Sequence, residues 1–138
     1  MGIKKIVGLF LIIGFCGYSS LAQDNQTPEK IVQDNLEQYN ARNLEGFMSF
    51  FTDSITLYSF GKAEPIAKGK QAVQALYGQL FEASPNLHST ILHRSIIGNK
   101  VIDHESIIGR KGSQVPVELV MIYEVTEDKI STMTVIKQ

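Results

Sequence analysis

The dipeptide Gly98-Asn99 constrains the second half of this sequence more than any other feature. It separates two runs that contain β-branched residues, residues 91–97 and 100–106. Glycine and asparagine between two such runs are typical of a tight two-residue hairpin turn. The sequence therefore predicts an antiparallel hairpin, and the register of that hairpin determines which side chains lie together.

The predicted register gives the two faces of the hairpin different chemistry. Directly opposite residues share a face, so His93 meets His104 on one side. On the other side Arg94 meets Asp103, with Glu105 nearby. One face therefore presents two imidazoles and the other presents a charge-paired set, and the face that points inward decides which groups a pocket could use.

The first 22 residues differ in kind from the rest of the chain. Lys4 and Lys5 precede an apolar run, residues 6–15, and Ser20-Leu21-Ala22 has the small-x-small pattern of a signal-peptidase site. The apolar run is too short to act as a stable transmembrane anchor. The sequence therefore predicts a signal peptide over residues 1–22, a single domain over residues 23–138, and a secreted or periplasmic protein.

Cys16 leaves a second mode of processing open. Residues 13–16 have the loose shape of a lipobox, although Phe15 is bulky where a small residue normally precedes the lipidated cysteine. Lipidation at Cys16 would anchor the protein to a membrane. Cleavage after Ala22 would instead leave no cysteine, which excludes disulfides, thiol catalysis and cysteine metal sites in the mature chain.

The charge of the mature chain argues against a nucleic-acid partner. Without Lys4 and Lys5, eleven Lys and Arg residues stand against fourteen Asp and Glu residues, a net charge of −3. The sequence contains no basic stripe or cluster that could follow a phosphate backbone. We therefore expect no binding to nucleic acid.

Helical signals dominate the first half of the mature chain. Thr27-Pro28 reads as an N-cap followed by proline at the first helical position, and Asn43 reads as the cap of a second helix. Apolar residues then recur at helical spacing. The predicted elements are helices over about 28–40, 44–51 and 70–83, a short strand over 55–58 and an exposed loop over 61–69.

Strands alone are predicted after residue 86. They cover about residues 87–97, 100–110, 115–125 and 129–137, joined by connections rich in glycine, asparagine and aspartate. Helices first and an antiparallel meander second is the order of an α+β fold in which the sheet wraps over the helices.

Four segments of the chain carry a resemblance to a known family. They are Asn40-Ala41-Arg42-Asn43-Leu44-Glu45-Gly46-Phe47, Phe50-Phe51-Thr52-Asp53-Ser54-Ile55-Thr56, Lys68-Gly69-Lys70-Gln71-Ala72-Val73 and Asp128-Lys129-Ile130. In this order and spacing, over about residues 27–136, the chain resembles the SnoaL-like and ketosteroid-isomerase-like branch of the nuclear-transport-factor-2-like superfamily. The resemblance implies a cone-shaped α+β barrel, with three N-terminal helices packed on a curved antiparallel sheet around an apolar pocket.

The resemblance also implies which residues face that pocket. It turns His104 inward, and the hairpin register brings His93 with it. Arg94, Asp103 and Glu105 then fall on the outer face as a surface ion-pair cluster. The implied pocket lining is Val32, Asn35, Tyr39, Leu57, Ser59, Leu76, Ile102, Ser106, Leu119, Met121, Met133 and Val135.

The catalytic groups of ketosteroid isomerase are missing at the matching positions. That enzyme uses an aspartate base, with a tyrosine and a protonated aspartic acid holding the oxyanion. The matching positions here are Ser59, Asn35 and Met121, respectively. We therefore expect a domain that binds a small apolar or amphipathic molecule without the standard isomerase mechanism.

An enzyme remains the alternative because imidazole titrates near neutral pH. His104 or His93 would act as general acid or base, and the other would orient it, in an isomerase, cyclase or hydratase. Two histidines without a further inward ligand make a poor metal site, so we expect neither a metal nor another cofactor.

The outer face of the predicted sheet is more apolar than is usual for the exposed surface of a monomer. In the implied register it carries Ile96, Val101, Ile107, Val120, Ile122 and Ile136. A contiguous apolar patch indicates a partner, and members of the family often dimerise through this face. We therefore expect a homodimer, with an assembly protein that works through this face as a third possible function.

Overall fold

The computed structural model describes residues 26–138, so the predicted signal peptide and Cys16 lie outside the described residues. Three helices and six strands follow in the order α1 (Pro28–Asn40), α2 (Leu44–Met48), β1 (Phe51–Ser59), β2 (Pro65–Lys68), α3 (Lys70–Glu82), β3 (His88–Ile97), β4 (Lys100–Ile108), β5 (Val117–Thr126) and β6 (Lys129–Lys137). One turn of 3-10 helix, Arg110–Gly112, lies between β4 and β5. Among these residues, no helix is long and apolar enough to cross a bilayer.

The first two helices begin at the predicted caps. The Thr27 hydroxyl accepts a hydrogen bond from the backbone N–H of Lys30 at 3.2 Å, with proline in the first turn. The Asn43 side chain accepts one from the N–H of Gly46 at 3.1 Å. Both predictions are confirmed. Helix α2 ends earlier than predicted because Phe51 already pairs with Ile130 as the first residue of β1.

The six strands form one sheet in the order β2-β1-β6-β5-β4-β3. The predicted meander from β3 to β6 is antiparallel throughout. Strand β1 runs parallel to β6, however, so the sheet is mixed and not wholly antiparallel as expected. Part of the predicted loop also forms β2, because Ala67 is buried and pairs with Leu57 of β1. The curved sheet and its helices form the predicted cone-shaped α+β barrel.

Aromatic side chains hold the helices against the inner face of the sheet. The rings of Phe47 and Tyr77 lie 4.6 Å apart between centroids, and those of Tyr39 and Phe81 lie 5.5 Å apart. Phe51 extends this cluster to the sheet, with its ring 4.9 Å from that of Phe47. Such pairs are each worth about 0.5–1.5 kcal/mol beyond the area that they bury. The cluster therefore links all three helices to the first strand.

The hairpin at Gly98-Asn99 forms in the predicted register. Ile97 pairs with Lys100, Arg94 with Asp103, and His93 with His104. A bulge at Leu92 interrupts the ladder further from the turn. The pairing predicted from the two-residue turn is therefore confirmed.

The direction in which this hairpin faces is the opposite of the one expected. Asp103 and Glu105 are buried on the inner face, whereas His104 is partly exposed and His93 is exposed. Strand β4 also pairs with β5 so that Asp103 lies opposite Met121, which is buried. Because opposite residues share a face, the burial of the β5 side chains draws both carboxyl groups inward.

The same reversal moves four other residues of β4. Ile102 and Ser106, expected in the pocket, lie on the outer face. Val101 and Ile107, expected on the outer face, are 0% and 3% exposed within the core. Alternate residues of a strand point to opposite faces, so a single error in the predicted facing of β4 accounts for all four differences.

Arg94 and Asp103 form a buried ion pair, not the surface cluster expected from the sequence. Arg94 Nε donates to Asp103 Oδ1 at 2.7 Å, and Nη2 donates to Oδ2 at 2.8 Å. The two side chains are 13% and 1% exposed. Arg94 Nη1 also donates to Gln33 Oε1 of α1 at 3.0 Å. This network therefore fastens β3 and β4 to α1.

We predict that Arg94→Met lowers the free energy of unfolding by about 3 kcal/mol, because it leaves the Asp103 carboxylate buried without its cation. Lys100→Met is the matched control, since it breaks the exposed pair between Lys100 and Glu124, whose atoms lie 3.6 Å apart. That change should cost less than about 1 kcal/mol. Urea unfolding at pH 8 measures both values, and equal losses would contradict the buried role of Arg94.

Candidate functional site

A cavity of about 390 Å³ lies between the inner face of the sheet and the helices. This volume is near the lower end of the range for small-molecule sites, about 300–1,000 Å³. The buried part of its lining is mainly apolar and aromatic and includes Leu36, Tyr39, Phe47, Leu57, Tyr77, Leu119, Met121, Tyr123, Met133 and Val135. The exposed lining residues mark its opening and are Ile66, Leu76, Gln79, Ala83, Lys111 and Lys137.

Eight of the twelve residues expected to line a pocket lie on this cavity, namely Asn35, Tyr39, Leu57, Leu76, Leu119, Met121, Met133 and Val135. Val32 and Ser59 do not line it. Val32 is fully buried in the core, and Ser59 lies near the end of β1 opposite Val135. Ile102 and Ser106 are on the outer face, for the reason given above.

His93 and His104 lie outside the cavity. His104 Nε2 is 3.0 Å from Glu118 Oε2 on the neighbouring strand, and His93 Nε2 is 3.1 Å from Ser95 Oγ. Both imidazoles are on the outer face of the sheet, so the sheet itself separates them from the pocket. The structure therefore removes the geometric basis for a role of either histidine in pocket chemistry.

Glu105 is the one carboxyl group among the described residues that line the cavity, although the sequence predicted it on the outer face. It is 4% exposed and lines the cavity. Ser89 Oγ donates to Oε2 at 2.7 Å, and the Tyr123 hydroxyl donates to Oε1 at 3.3 Å. Burial raises the pKa of Glu105 from 4.5 to about 7; the Asp103 charge adds to the rise, and the two hydroxyls oppose it. A carboxyl group that titrates near neutral pH can both take and give a proton.

The partners of Glu105 are themselves held in place. The Ser89 N–H donates to Asn40 Oδ1 at 2.8 Å, and Asn40 Nδ2 donates to the Ser89 carbonyl oxygen at 3.0 Å. Asn40 is the last residue of α1, so this pair of bonds clamps the start of β3 to the helix. The hydroxyl that orients Glu105 is therefore fixed by main-chain contacts.

Two tyrosines add hydrogen-bond donors to the cavity. Burial raises the pKa of Tyr39 and of Tyr77, so both phenols stay protonated at neutral pH. Both line the cavity, and within residues 26–138 neither hydroxyl has a hydrogen-bond partner. Each can therefore donate to an oxygen atom of a bound molecule.

The positions that match the isomerase groups do not form an acid–base site. Asn35 and Met121 line the cavity, but Ser59 does not. Asn35 Nδ2 donates to the carbonyl oxygen of Phe47 at 3.0 Å, which ties α1 to α2. In the part of the chain that the structure describes, no three His, Cys, Asp or Glu side chains cluster as metal ligands.

A signal for Glu105 was present in the sequence at Lys100. A lysine next to a hairpin turn favours the solvent face, and an outward Lys100 turns His104 outward as well. Asp103 and Glu105 must then point inward. In the structure Lys100 is exposed, and its ammonium group faces Glu124 on β5.

We predict that Glu105→Gln flattens the pH dependence of stability between about pH 4.5 and 7. A glutamate in the unfolded chain titrates near pH 4.5, whereas folded Glu105 titrates near pH 7, so the folded protein holds the extra proton in this window. The contribution of Glu105 to stability is therefore largest below pH 4.5 and falls by about 3 kcal/mol as pH rises to 7.

Urea unfolding at intervals across this range measures the effect as the difference in unfolding free energy between Glu105→Gln and the wild type. That difference should rise by about 3 kcal/mol in favour of the variant as pH increases. Glu82→Gln, at an exposed position at the end of α3, should follow the wild type. A Glu105→Gln curve parallel to the wild type would refute the raised pKa.

Comparison with known proteins places this cavity in a family context. A family model for the SnoaL-like domain matches residues 32–133. A search of curated proteins finds no match to the chain.

Several solved structures share the fold. A cystatin-fold protein of uncharacterised function from Novosphingobium aromaticivorans has a TM-score of 0.75 and 19% identity over 81% of this chain and 99% of that one. A proposed ketosteroid isomerase from Kribbella flavida has a TM-score of 0.69 and 13% identity over 80% and 77% of the two chains. A proposed SnoaL-like polyketide cyclase from Jannaschia sp. CCS1 has a TM-score of 0.67 and 14% identity over 78% and 83%. The family model covers most of the chain and the fold agrees with it, so the chain belongs to the SnoaL-like domain family.

Proposed function

We propose that this protein binds a small apolar or amphipathic molecule in the cavity. The observation that carries the proposal is the cavity itself, about 390 Å³ in volume, with a mainly apolar wall and a few polar groups that converge on it. This combination is typical of small-molecule sites, in which apolar contacts supply affinity and polar groups fix orientation.

The unpartnered phenols of Tyr39 and Tyr77 indicate what the molecule carries. Both hydroxyls line the cavity, and neither has a hydrogen-bond partner within residues 26–138, so each can donate to an oxygen atom of a bound molecule. Glu105 offers a further contact and, when protonated, can donate as well as accept. We therefore propose a ligand with at least one carbonyl or hydroxyl oxygen within its apolar body.

We predict that the uncharged dye N-phenyl-1-naphthylamine, which fluoresces in apolar surroundings, binds the wild type and that Leu76→Trp weakens binding about tenfold, or about 1.4 kcal/mol. Leu76 is 39% exposed and lines the opening, so a larger side chain there obstructs entry. Ala75→Trp is the control, because Ala75 is exposed on the same helix and does not line the cavity.

Fluorescence titration gives the dissociation constant for each variant. The Ala75→Trp value should stay within about twofold of the wild type. Equal weakening by both substitutions, or by neither, would show that the dye binds elsewhere and would remove the support for a pocket function.

The raised pKa of Glu105 favours a second candidate function, proton transfer on the bound molecule. The Glu105 carboxylate would take a proton from a carbon beside a carbonyl group. In an isomerase-type reaction it would return that proton to a second carbon; in a cyclase-type reaction the enolate carbon would instead attack a second carbonyl carbon, and the proton would go to the alkoxide oxygen formed there. The phenols of Tyr39 and Tyr77 would donate to the carbonyl oxygen as it gains negative charge. Relatives of this fold include proteins proposed to be a ketosteroid isomerase and a polyketide cyclase.

We predict that Glu105→Gln lowers any turnover of β,γ-unsaturated ketones at least about 100-fold while dye affinity stays within about twofold. The amide keeps the shape of the side chain but cannot take the proton. Wild-type turnover should rise with pH through about 7, because the base must be ionised. Absorbance of the conjugated product measures the rate, and full activity in Glu105→Gln would exclude Glu105 as the base.

We also propose a homodimer formed through the outer face of the sheet. The support is an outward set of apolar residues that differs in part from the set expected from the sequence, namely Ile97, Ile102, Ile108, Val120, Ile122 and Ile136. Contiguous apolar surface of this kind favours a partner. Sedimentation velocity tests the proposal, and a monomer at high concentration would contradict it.

Export is a further proposal, supported by the basic, apolar and small-residue segments within residues 1–22. The mass of the mature protein distinguishes the two modes of processing. A chain that begins at Gln23 indicates signal-peptidase cleavage, and a lipid-modified chain that begins at Cys16 indicates a lipoprotein. An unprocessed chain in the cytoplasm would refute both.

A further inference from the structure

Three cations line the cavity: Lys111 and Lys137 at its opening, and the partly exposed Arg110 next to Lys111 in sequence. Arg110 and Lys111 come from the turn after β4, Lys137 comes from the end of β6, and all three line the cavity. Within the described part of the chain, none of them forms an ion pair with a carboxylate. The pKa of Lys137 is lowered by partial burial and by the charges of Arg110 and Lys111. The opening is therefore a cluster of like charges that repel one another.

The turn that carries two of these cations is fixed by its backbone. The Lys111 N–H donates to Oγ of Ser84, which is fully buried, at 2.8 Å. Gly109 has φ +75°, and a Cβ atom there would lie 2.1 Å from the carbonyl oxygen of Asn86. Lys111 itself adopts φ +50°, a left-handed conformation that is unfavourable for a residue with a side chain. The turn is therefore packed against the end of α3, which positions its two cations beside the cavity.

The charge of Glu105 does not account for these cations. Glu105 and Arg110 both line the cavity, yet the acceptor contacts of Glu105 are to Ser89 and Tyr123. The cavity is therefore polarised, with one carboxyl group held by hydroxyls in its buried part and three cations at or beside its opening. A molecule that spans the cavity would therefore contact the apolar wall with its inner part and the positive charges with the end that lies at the opening.

We infer that the ligand is an apolar carboxylate whose hydrocarbon body fills the cavity and whose carboxylate lies among Arg110, Lys111 and Lys137. The inference rests on the proposed binding function and adds the class of ligand to it. A guanidinium group matches the planar geometry of a carboxylate, and an anion among three cations relieves their mutual repulsion. A neutral ligand would lack this gain, and a cationic ligand would be repelled.

The test compares three ligands of equal chain length, octanoate, octan-1-ol and octyltrimethylammonium, by isothermal titration calorimetry. Octanoate should bind about tenfold more tightly than octan-1-ol, octyltrimethylammonium should bind most weakly, and added salt should weaken octanoate selectively. Arg110→Met and Lys137→Met should each weaken octanoate about tenfold while octan-1-ol stays within about twofold.

Lys62→Met is the matched control, because Lys62 is exposed in the loop before β2 and does not line the cavity. Equal affinity of the wild type for octanoate and octan-1-ol would overturn the inference, as would equal weakening of both ligands by Arg110→Met. The dye experiment separates this failure from that of the proposed function. If Leu76→Trp weakens dye binding but the wild type shows no preference for octanoate, the pocket function is retained. Only the inference of a carboxylate ligand is then overturned.

Discussion

The bidentate ion pair between Arg94 and Asp103 allows the hairpin of β3 and β4, at one edge of the sheet, to bury the face that carries it. A lone carboxylate at 1% exposure would be prohibitively costly, but two short hydrogen bonds from a guanidinium group make its burial tolerable. Glu105 lies two residues further along the same strand, so it must point to the same face. The pair that stabilises the buried hairpin therefore also brings a second carboxyl group to the cavity.

The two inward carboxyl groups of β4 have different partners and hence different roles. Asp103 meets a cation, which ties it to Arg94 and, through Gln33, to α1. Glu105 meets only hydroxyl donors, from Ser89 and Tyr123, and burial raises its pKa to about 7. The carboxyl group that anchors the hairpin and the carboxyl group that lines the cavity are therefore two residues apart on one strand.

Local signals in the sequence predicted most of the fold, and the failures lie where the signal is not local. Caps such as Thr27 and Asn43 and the Gly98-Asn99 turn act through neighbouring residues, so both helix starts and the hairpin register could be predicted. The parallel pairing of β1 with β6 joins distant segments and leaves no local pattern. Both alternate sets of β4 contain large apolar residues, and the long connection before β5 leaves their register open, so Lys100 is the one local indication of which face points outward. The incorrect facing placed two histidines on the inner face of the sheet, where the structure has two carboxyl groups.

The inward position of Glu105 changes what the missing isomerase groups imply. The positions Ser59, Asn35 and Met121 lack the acid and phenol groups of one known arrangement, and that observation still stands. A curved sheet, however, presents several strands to one cavity, and any inward position can supply the group that titrates. Glu105 supplies it here from β4, beside phenols from α1 and α3. The loss of one arrangement therefore excludes that mechanism alone and leaves acid–base chemistry open to a carboxyl group on another strand.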